Sequence, residues 1–242
     1  MSLQKKKFRD SEQRFLIEGF LPLEEALRSS YRIREIFVVR EISQEPHVSR
    51  LLLKAREGHH AACYEISRQE LKRISCEQTP QGLVAVAEKK TFRAEALTGD
   101  LLLMDRIRDP GNAGTLFRIA HWFGLSGVLM MRGSVDACNP KTVRAGMGSV
   151  FHMPYLEIDT LPETLRSGRT LLLSKAHGNA DIRDLRKEAL QPFILVIGNE
   201  SRGVSGAFDH YPHLDVTLPS LGGAESLNAA AAAAAILSRL LY

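Results

Sequence analysis

Apolar positions in the second half of the chain come in short continuous runs. They read LLLMD (101–105), GVLMM (127–131), TLLLS (170–174), FILVIG (193–198) and LDVTL (214–218). Runs of this length predict strands buried on both faces. Helical patterns lie between several of them, which predicts a parallel sheet with helices on both sides. The first half is patterned differently. Phe15, Leu16, Gly19, Leu23, Ala26 and Leu27 recur at three- and four-residue spacing and predict a helix, with a break or kink at Pro22. A strand is predicted at IREIFVV (33–39) and a helix at LLLKAREGH (51–59), with Gly58 near its C-cap. A second helix, at 67–75, opens on Ser67 with Glu70 three residues later, the pattern of a capping box. GLVAVAEK (82–89) predicts a further strand.

Residues 88–100 are polar and lack strand periodicity, so a linker is expected there. The chain accordingly divides into an N-terminal α/β module, 1–93, and a larger α/β module, 94–242. Charge follows the same division. Residues 1–93 carry 18 Lys and Arg against 13 Asp and Glu, whereas 94–242 carry 14 against 15. The excess is small, and a solvated basic surface accounts for it as well as a polyanion partner does. The basic opening, with Lys5, Lys6, Lys7 and Arg14, is the candidate polyanion-contacting segment.

Other classes are disfavoured. No apolar run approaches the roughly 20 residues needed to span a bilayer. MSLQKKKFRD lacks the apolar core of a secretory signal. The three cysteines, Cys63, Cys76 and Cys138, show no paired spacing, which suits a reducing cytoplasm. His210 and His213 flank Pro212, so no helical metal pair is expected, and no metal site is assigned. GMGS (146–149) has Phe151 at the third glycine position of a dinucleotide fingerprint, and no P-loop or nucleophile elbow is present.

The candidate chemistry lies in three loops that follow apolar runs: DPGNAGTLFR (109–118), IGNESRGVS (197–205) and LPSLGGAESLN (218–228). Each combines glycine with Asn, Glu or Ser, so a ligand can approach backbone polar groups closely. Asn112 is placed as the N-cap of the helix after the first loop. Arg118 points away from the apolar face formed by Leu116, Ile119, Ala120 and Phe123. Glu200, after a central strand, sits where open α/β sheets bind ligands. Seven alanines at 229–235 follow the third loop and predict a strong, closely packing helix. Taken singly, each loop has an ordinary structural explanation as a turn or a cap.

Together, in order and spacing, the loops resemble motifs 1, 2 and 3 of the SpoU (TrmH-like) RNA ribose 2′-O-methyltransferases, a branch of the SPOUT class, over residues 95–242. RFLIEGFLPLEEAL (14–27) and TPQGLVAVA (79–87) resemble the ribosomal-protein-like substrate-binding domain attached to many members. The resemblance implies a trefoil-knotted α/β methyltransferase domain that uses S-adenosylmethionine. It implies a homodimer through the C-terminal knot, and RNA as substrate, with rRNA ahead of tRNA. It places catalytic-site roles on Asn112, Arg118, Glu200, Ser226 and Asn228. Cofactor contacts fall on Ser174, Gly198, Leu218, Leu227 and Asn228. Ser220 stands where the third motif usually has Met. An inactive RNA-binding protein of the same fold and an RNA base methyltransferase are the alternatives.

Overall fold

The computed structural model describes residues 2–190, 192–223 and 225–242. Its residues group into two units that are discontinuous in sequence. The first holds residues 1–90 and 136–152, and the second holds 91–135 and 153–242. The change of unit after Lys90 falls inside the expected linker. The assignment of 136–152 to the first unit departs from a simple N-terminal and C-terminal division.

In the first unit, α1 (Lys6–Glu12), β1 (Arg14–Glu18), α2 (Phe20–Leu27), β2 (Ile33–Val39), α3 (Arg40–Ser43), α4 (Pro46–His59), β3 (Ala62–Ile66), α5 (Arg68–Ile74) and β4 (Leu83–Glu88) follow in order. The sheet order is β1-β4-β2-β3, with β4 antiparallel to both neighbours and β3 parallel to β2. The expected helix over 15–27 is a strand followed by a helix. Phe15, Leu16 and Ile17 are consecutive and fully buried, which one helical face does not allow. Gly19, at φ 96°, turns the chain between the two elements. Pro22 then sits in the first turn of α2, where its missing N–H has no intrahelical partner to lose. α4 ends at His59, and His60 takes the left-handed conformation expected near Gly58. The capping box is present. The Glu70 carboxylate accepts from the Ser67 N–H at 2.8 Å, and Ser67 Oγ accepts from the Glu70 N–H at 3.3 Å.

The second unit contributes β5 (Leu101–Asp105), α6 (Pro110–Trp122) and β6 (Gly127–Met131). The chain then supplies α7 (Pro140–Ala145) to the first unit. It returns for β7 (Tyr155–Ile158), α8 (Glu163–Arg166), β8 (Thr170–Ser174), β9 (Ala180–Asp181), α9 (Lys187–Leu190), β10 (Phe193–Gly198), β11 (Leu214–Thr217) and α10 (Ala229–Leu241). The sheet order is β7-β6-β5-β10-β8-β11-β9, and every pairing is parallel. The five apolar runs are therefore strands, as expected. Leu101, Leu103, Leu129, Leu171, Leu173, Ile194 and Val196 share one core cluster with Phe208. α10 lays Ala229, Ala230, Ala233, Ile236, Leu237 and Leu240 inward and packs on α6. Among the described residues, no helix is long and apolar enough to cross a membrane.

Residues 136–152 are tied into the first unit by charge and by rings. Arg9 Nε donates to Asp136 Oδ2 at 2.8 Å, with both side chains 2% exposed. Arg9 Nη1 also donates to the Leu3 and Gln4 carbonyls, so the buried guanidinium is held by both charge and backbone. Phe151 lies 6.1 Å from Phe15 and 5.2 Å from Tyr31, ring centre to ring centre. His152 pairs with Glu25 at 2.8 Å, and Arg144 with Glu77 at 2.5 Å. Arg9, one of the cations in the basic opening segment, is thus a core residue.

Removing one member of a buried pair strands the other charge. Asp136→Ala is expected to destabilise the protein by about 3 to 5 kcal/mol, read from urea unfolding. A second expectation concerns Cys76. Burial, and then the adjacent Glu18 carboxylate, push its thiol from 9.0 up to about 12. Below about pH 9 both folded and unfolded chains hold this proton. As pH rises toward 12, only the unfolded chain releases it, so this contribution to stability is lost with rising pH. Because the thiolate is the nucleophile, Cys76 should resist iodoacetamide at about pH 8.5 in the folded protein and react in urea, as followed by mass spectrometry.

Candidate active site

Three parallel neighbours, β10, β8 and β11, end at Gly198, Ser174 and Thr217. Val196 pairs with Leu173, and Ser174 with Val216, so their C-terminal ends form one edge. β5 ends beside β10, with Asp105 paired to Gly198. This is the edge at which open α/β sheets receive ligands. The chain must turn sharply on leaving β10. Asn199 and Gly203 exchange backbone hydrogen bonds of 3.0 and 2.8 Å, and a Cβ on Gly198 would collide with the backbone of Gly203 and Val204.

Side chains from all three candidate loops meet here. Asn112 Nδ2 donates to Glu200 Oε1 at 2.8 Å, and Asn228 Nδ2 donates to Asn112 Oδ1 at 2.9 Å. Asn112 therefore links positions 88 and 116 residues away along the chain. The other Glu200 oxygen accepts from Asn199 Nδ2 at 3.2 Å, and the same amide reaches the Arg106 carbonyl at 2.9 Å. Asn228 also caps α10. Its Oδ1 accepts from the N–H groups of Ala230 and Ala231 at 2.9 and 3.3 Å. One amide side chain thus caps a helix with its oxygen and holds the first loop with its nitrogen.

The N-cap of α6 is Asp109 rather than Asn112. Asp109 Oδ1 accepts from the Asn112 N–H at 2.8 Å, and Pro110 follows in the first turn. Asn112 lies one turn inside the helix, and this frees its amide to bridge the loops. Arg118 lies six residues further on. At about 100° per residue it stands roughly 120° around the helix from Asn112. It is exposed, in keeping with its expected outward direction. Ser226 is exposed on the third loop and does not enter the Asn112–Glu200–Asn228 group. Gly198, Ser174 and Leu218 are half-buried along the strand edge, and Leu227 is exposed beside the start of α10.

Two residues outside the expected set hold this arrangement. Asp105 is fully buried at the end of β5 and accepts from the Ser205 N–H at 2.6 Å and from Arg106 Nε at 3.1 Å. It anchors the far end of the second loop to β5. Asn199 fixes Glu200 against Arg106, whose φ of 57° is uncommon for a residue with a side chain. The sequence signal for Asp105 was a carboxylate closing an otherwise apolar run.

Residues 100–238 match the model of the SpoU rRNA Methylase family, and residues 1–85 match that of the MRM3-like substrate binding domain. The chain belongs to the SpoU rRNA methylase family. Its relatives include the 23S rRNA (guanosine(2553)-2′-O)-methyltransferase RlmP of Bacillus subtilis, 33% identical over 98% of this chain and 92% of the relative. A second is the 23S rRNA (uridine(2479)-2′-O)-methyltransferase of Streptomyces viridochromogenes, 31% identical over 92% of this chain and 80% of the relative. Among solved structures, the AdoMet-bound rRNA methyltransferase of Sinorhizobium meliloti superposes with a TM-score of 0.85 at 26% identity, covering 98% of this chain and 90% of that one. The SpoU methyltransferase AviRb of Streptomyces viridochromogenes, in complex with AdoMet, gives 0.84 at 29%, covering 98% and 93%. The SpoU fold expected from the three motifs is therefore the fold of this chain.

The double use of Asn228 can be separated by substitution. Asn228→Ala should lose the α10 cap and cost about 0.5 to 2 kcal/mol in urea unfolding. Asn228→Asp keeps a cap acceptor but loses the donor to Asn112. It should retain near-native stability while freeing the first loop, read as faster amide exchange at Gly111–Ala113.

Proposed function

We propose that this SpoU-family chain transfers a methyl group from S-adenosylmethionine to a ribose 2′-hydroxyl of ribosomal RNA. The observation that carries the proposal is the joining of all three motif loops by Asn112 at the C-terminal edge of the parallel sheet. The site suits the cofactor. Ser174, Gly198 and Leu218 line adjacent strand ends, where backbone groups can bind its polar atoms, and Leu218 and Leu227 offer apolar surface. The cofactor supplies a methyl group already activated by its positively charged sulfur. What remains for the protein is orientation, charge stabilisation and the exclusion of water.

Arg118 is assigned to the RNA. A guanidinium stays protonated, so it serves as a phosphate clamp that orients the ribose and stabilises the developing alkoxide, rather than as a base. Glu200 accepts amide hydrogen bonds on both oxygens, which suits a carboxylate that organises the loops. The hydroxyl proton then passes to a substrate phosphate or to water. Ser226 positions the nucleotide, and Asn228 orders the cofactor loop. Lys5, Lys6 and Lys7 are exposed, Arg14 is half-buried, and all four are assigned to RNA contact.

A homodimer is part of the proposal. Trp122 on α6 is 77% exposed, and Tyr242 beyond α10 is 89% exposed. Phe123 packs against Tyr242 at 6.1 Å. An aromatic surface of this kind calls for cover, and a second copy supplies it with a self-complementary interface. Cys63, Cys76 and Cys138 stand as thiols rather than in disulfides, which suits work in the cytoplasm.

The test is incubation with labelled S-adenosylmethionine and deproteinised 23S rRNA, followed by alkaline digestion. Label in an alkali-resistant dinucleotide is expected. Label released in mononucleotides would indicate base methylation, and no incorporation would indicate a binding protein. Arg118→Ala should lower turnover by about 10²- to 10³-fold or more while leaving cofactor affinity unchanged. Near-normal turnover in that variant would sink the assignment.

A further inference from the structure

A groove of about 640 Å³ opens on the first unit between α2 and α4. Its charged and ionisable lining includes Glu24, Arg28, His47, Arg50, Lys54 and Glu57. α4 buries Val48, Leu51, Leu52 and Ala55, which leaves Arg50 and Lys54 on its outer side. Some of these charges are already in use. Arg28 donates to Glu25 at 2.8 Å, and Glu24 lies 3.3 Å from His47 Nε2. Arg50 and Lys54 have no hydrogen-bond or ion-pair partner among the described residues. They stand one helical turn apart, an arrangement of like charges that weakens a helix when nothing neutralises it. Beside them, the His47 ring is 56% exposed and meets Phe20 at 5.6 Å between ring centres.

We infer that the α2–α4 groove binds the sugar–phosphate backbone of the RNA substrate, with Arg50 and Lys54 on neighbouring phosphates and a base against the His47 ring. Two adjacent unpaired cations match the regular charge of a nucleic-acid strand, and an exposed aromatic ring lining the same groove matches the stacking by which unpaired bases are held. This surface is separate in sequence from Lys5–Lys7 and Arg14. It lies in residues that match a substrate-binding domain. The identity of the ligand as RNA rests on the methyltransferase reading, but the contact itself is measurable without turnover.

The test compares two double charge reversals in the full chain. Arg50→Glu with Lys54→Glu alters the groove. Lys72→Glu with Arg73→Glu alters exposed positions of α5 by the same charge. Binding of deproteinised 23S rRNA is measured by filter retention across about 50 to 200 mM salt. The groove variant is expected to lose roughly tenfold or more in affinity. Its slope of log affinity against log salt should shrink by about 1.4 to 1.8, the loss of two phosphate contacts. The α5 variant should stay within roughly threefold of the unaltered protein. S-adenosylmethionine affinity and the thermal midpoint should be unchanged in both. The neutral pair Arg50→Gln with Lys54→Gln should move in the same direction as the groove reversal. Unaltered binding by the groove variant, or equal losses in the two reversals, overturns the inference. Absence of methyl transfer by the unaltered protein would overturn the methyltransferase reading instead and leave the binding comparison standing.

Discussion

The amide of Asn112 is the constraint on which the site depends. It has one donor group and one acceptor oxygen to share, and it gives one to Glu200 and the other to Asn228. Three loops that end separate sequence segments are thereby held in a single register. The geometry requires Asn112 to sit one turn inside α6, which in turn requires another residue to cap the helix. Asp109 does so. A cap, a bridge and a second cap at Asn228 form a short chain of dependencies, and each link is a directional hydrogen bond. A non-directional apolar contact would bring the loops together but would not fix their rotation.

This arrangement rests on a sheet that leaves few alternatives. β10 and β8 are sequence-distant apolar strands, and their parallel pairing aligns the ends that carry Gly198 and Ser174. The close return of the chain after Gly198 excludes any side chain there, and buried Asp105 holds Ser205 at the far end of the same loop. The second motif is thus tethered at both ends, which leaves Glu200 at its tip to meet Asn112 of the first loop.

Much of this was legible in the sequence where burial is symmetrical. The inner strands β5, β6, β8 and β10 announced themselves because both faces are covered and nearly every position is apolar, whereas the edge strands β7 and β9, with Glu157 and Asp181, left no such run. β3 did not announce itself either, because it is an edge strand with Tyr64 and Glu65 exposed, and no period survives. The helix expected over 15–27 failed because three- and four-residue spacing can arise across a strand and the helix that follows it. The polar residues of the site were legible through motif resemblance, but their connections were not. Amide bridges spanning about a hundred residues leave no local pattern, and Asp105 and Asn199 each read as an ordinary residue at a strand end. The exposure and direction of Arg118 followed directly from helical geometry.

The buried Arg9–Asp136 pair and the seating of Phe151 between Phe15 and Tyr31 reach beyond packing. During synthesis, the amino-terminal ninety residues emerge well before the segment that completes their core. Until residue 152 has left the ribosome, Arg9 lacks its counter-charge and the rings of Phe15 and Tyr31 lack their neighbour. Maturation of the substrate-binding unit therefore waits on translation of part of the methyltransferase region. A gene fragment or graft ending at residue 93 transplants an unfinished domain.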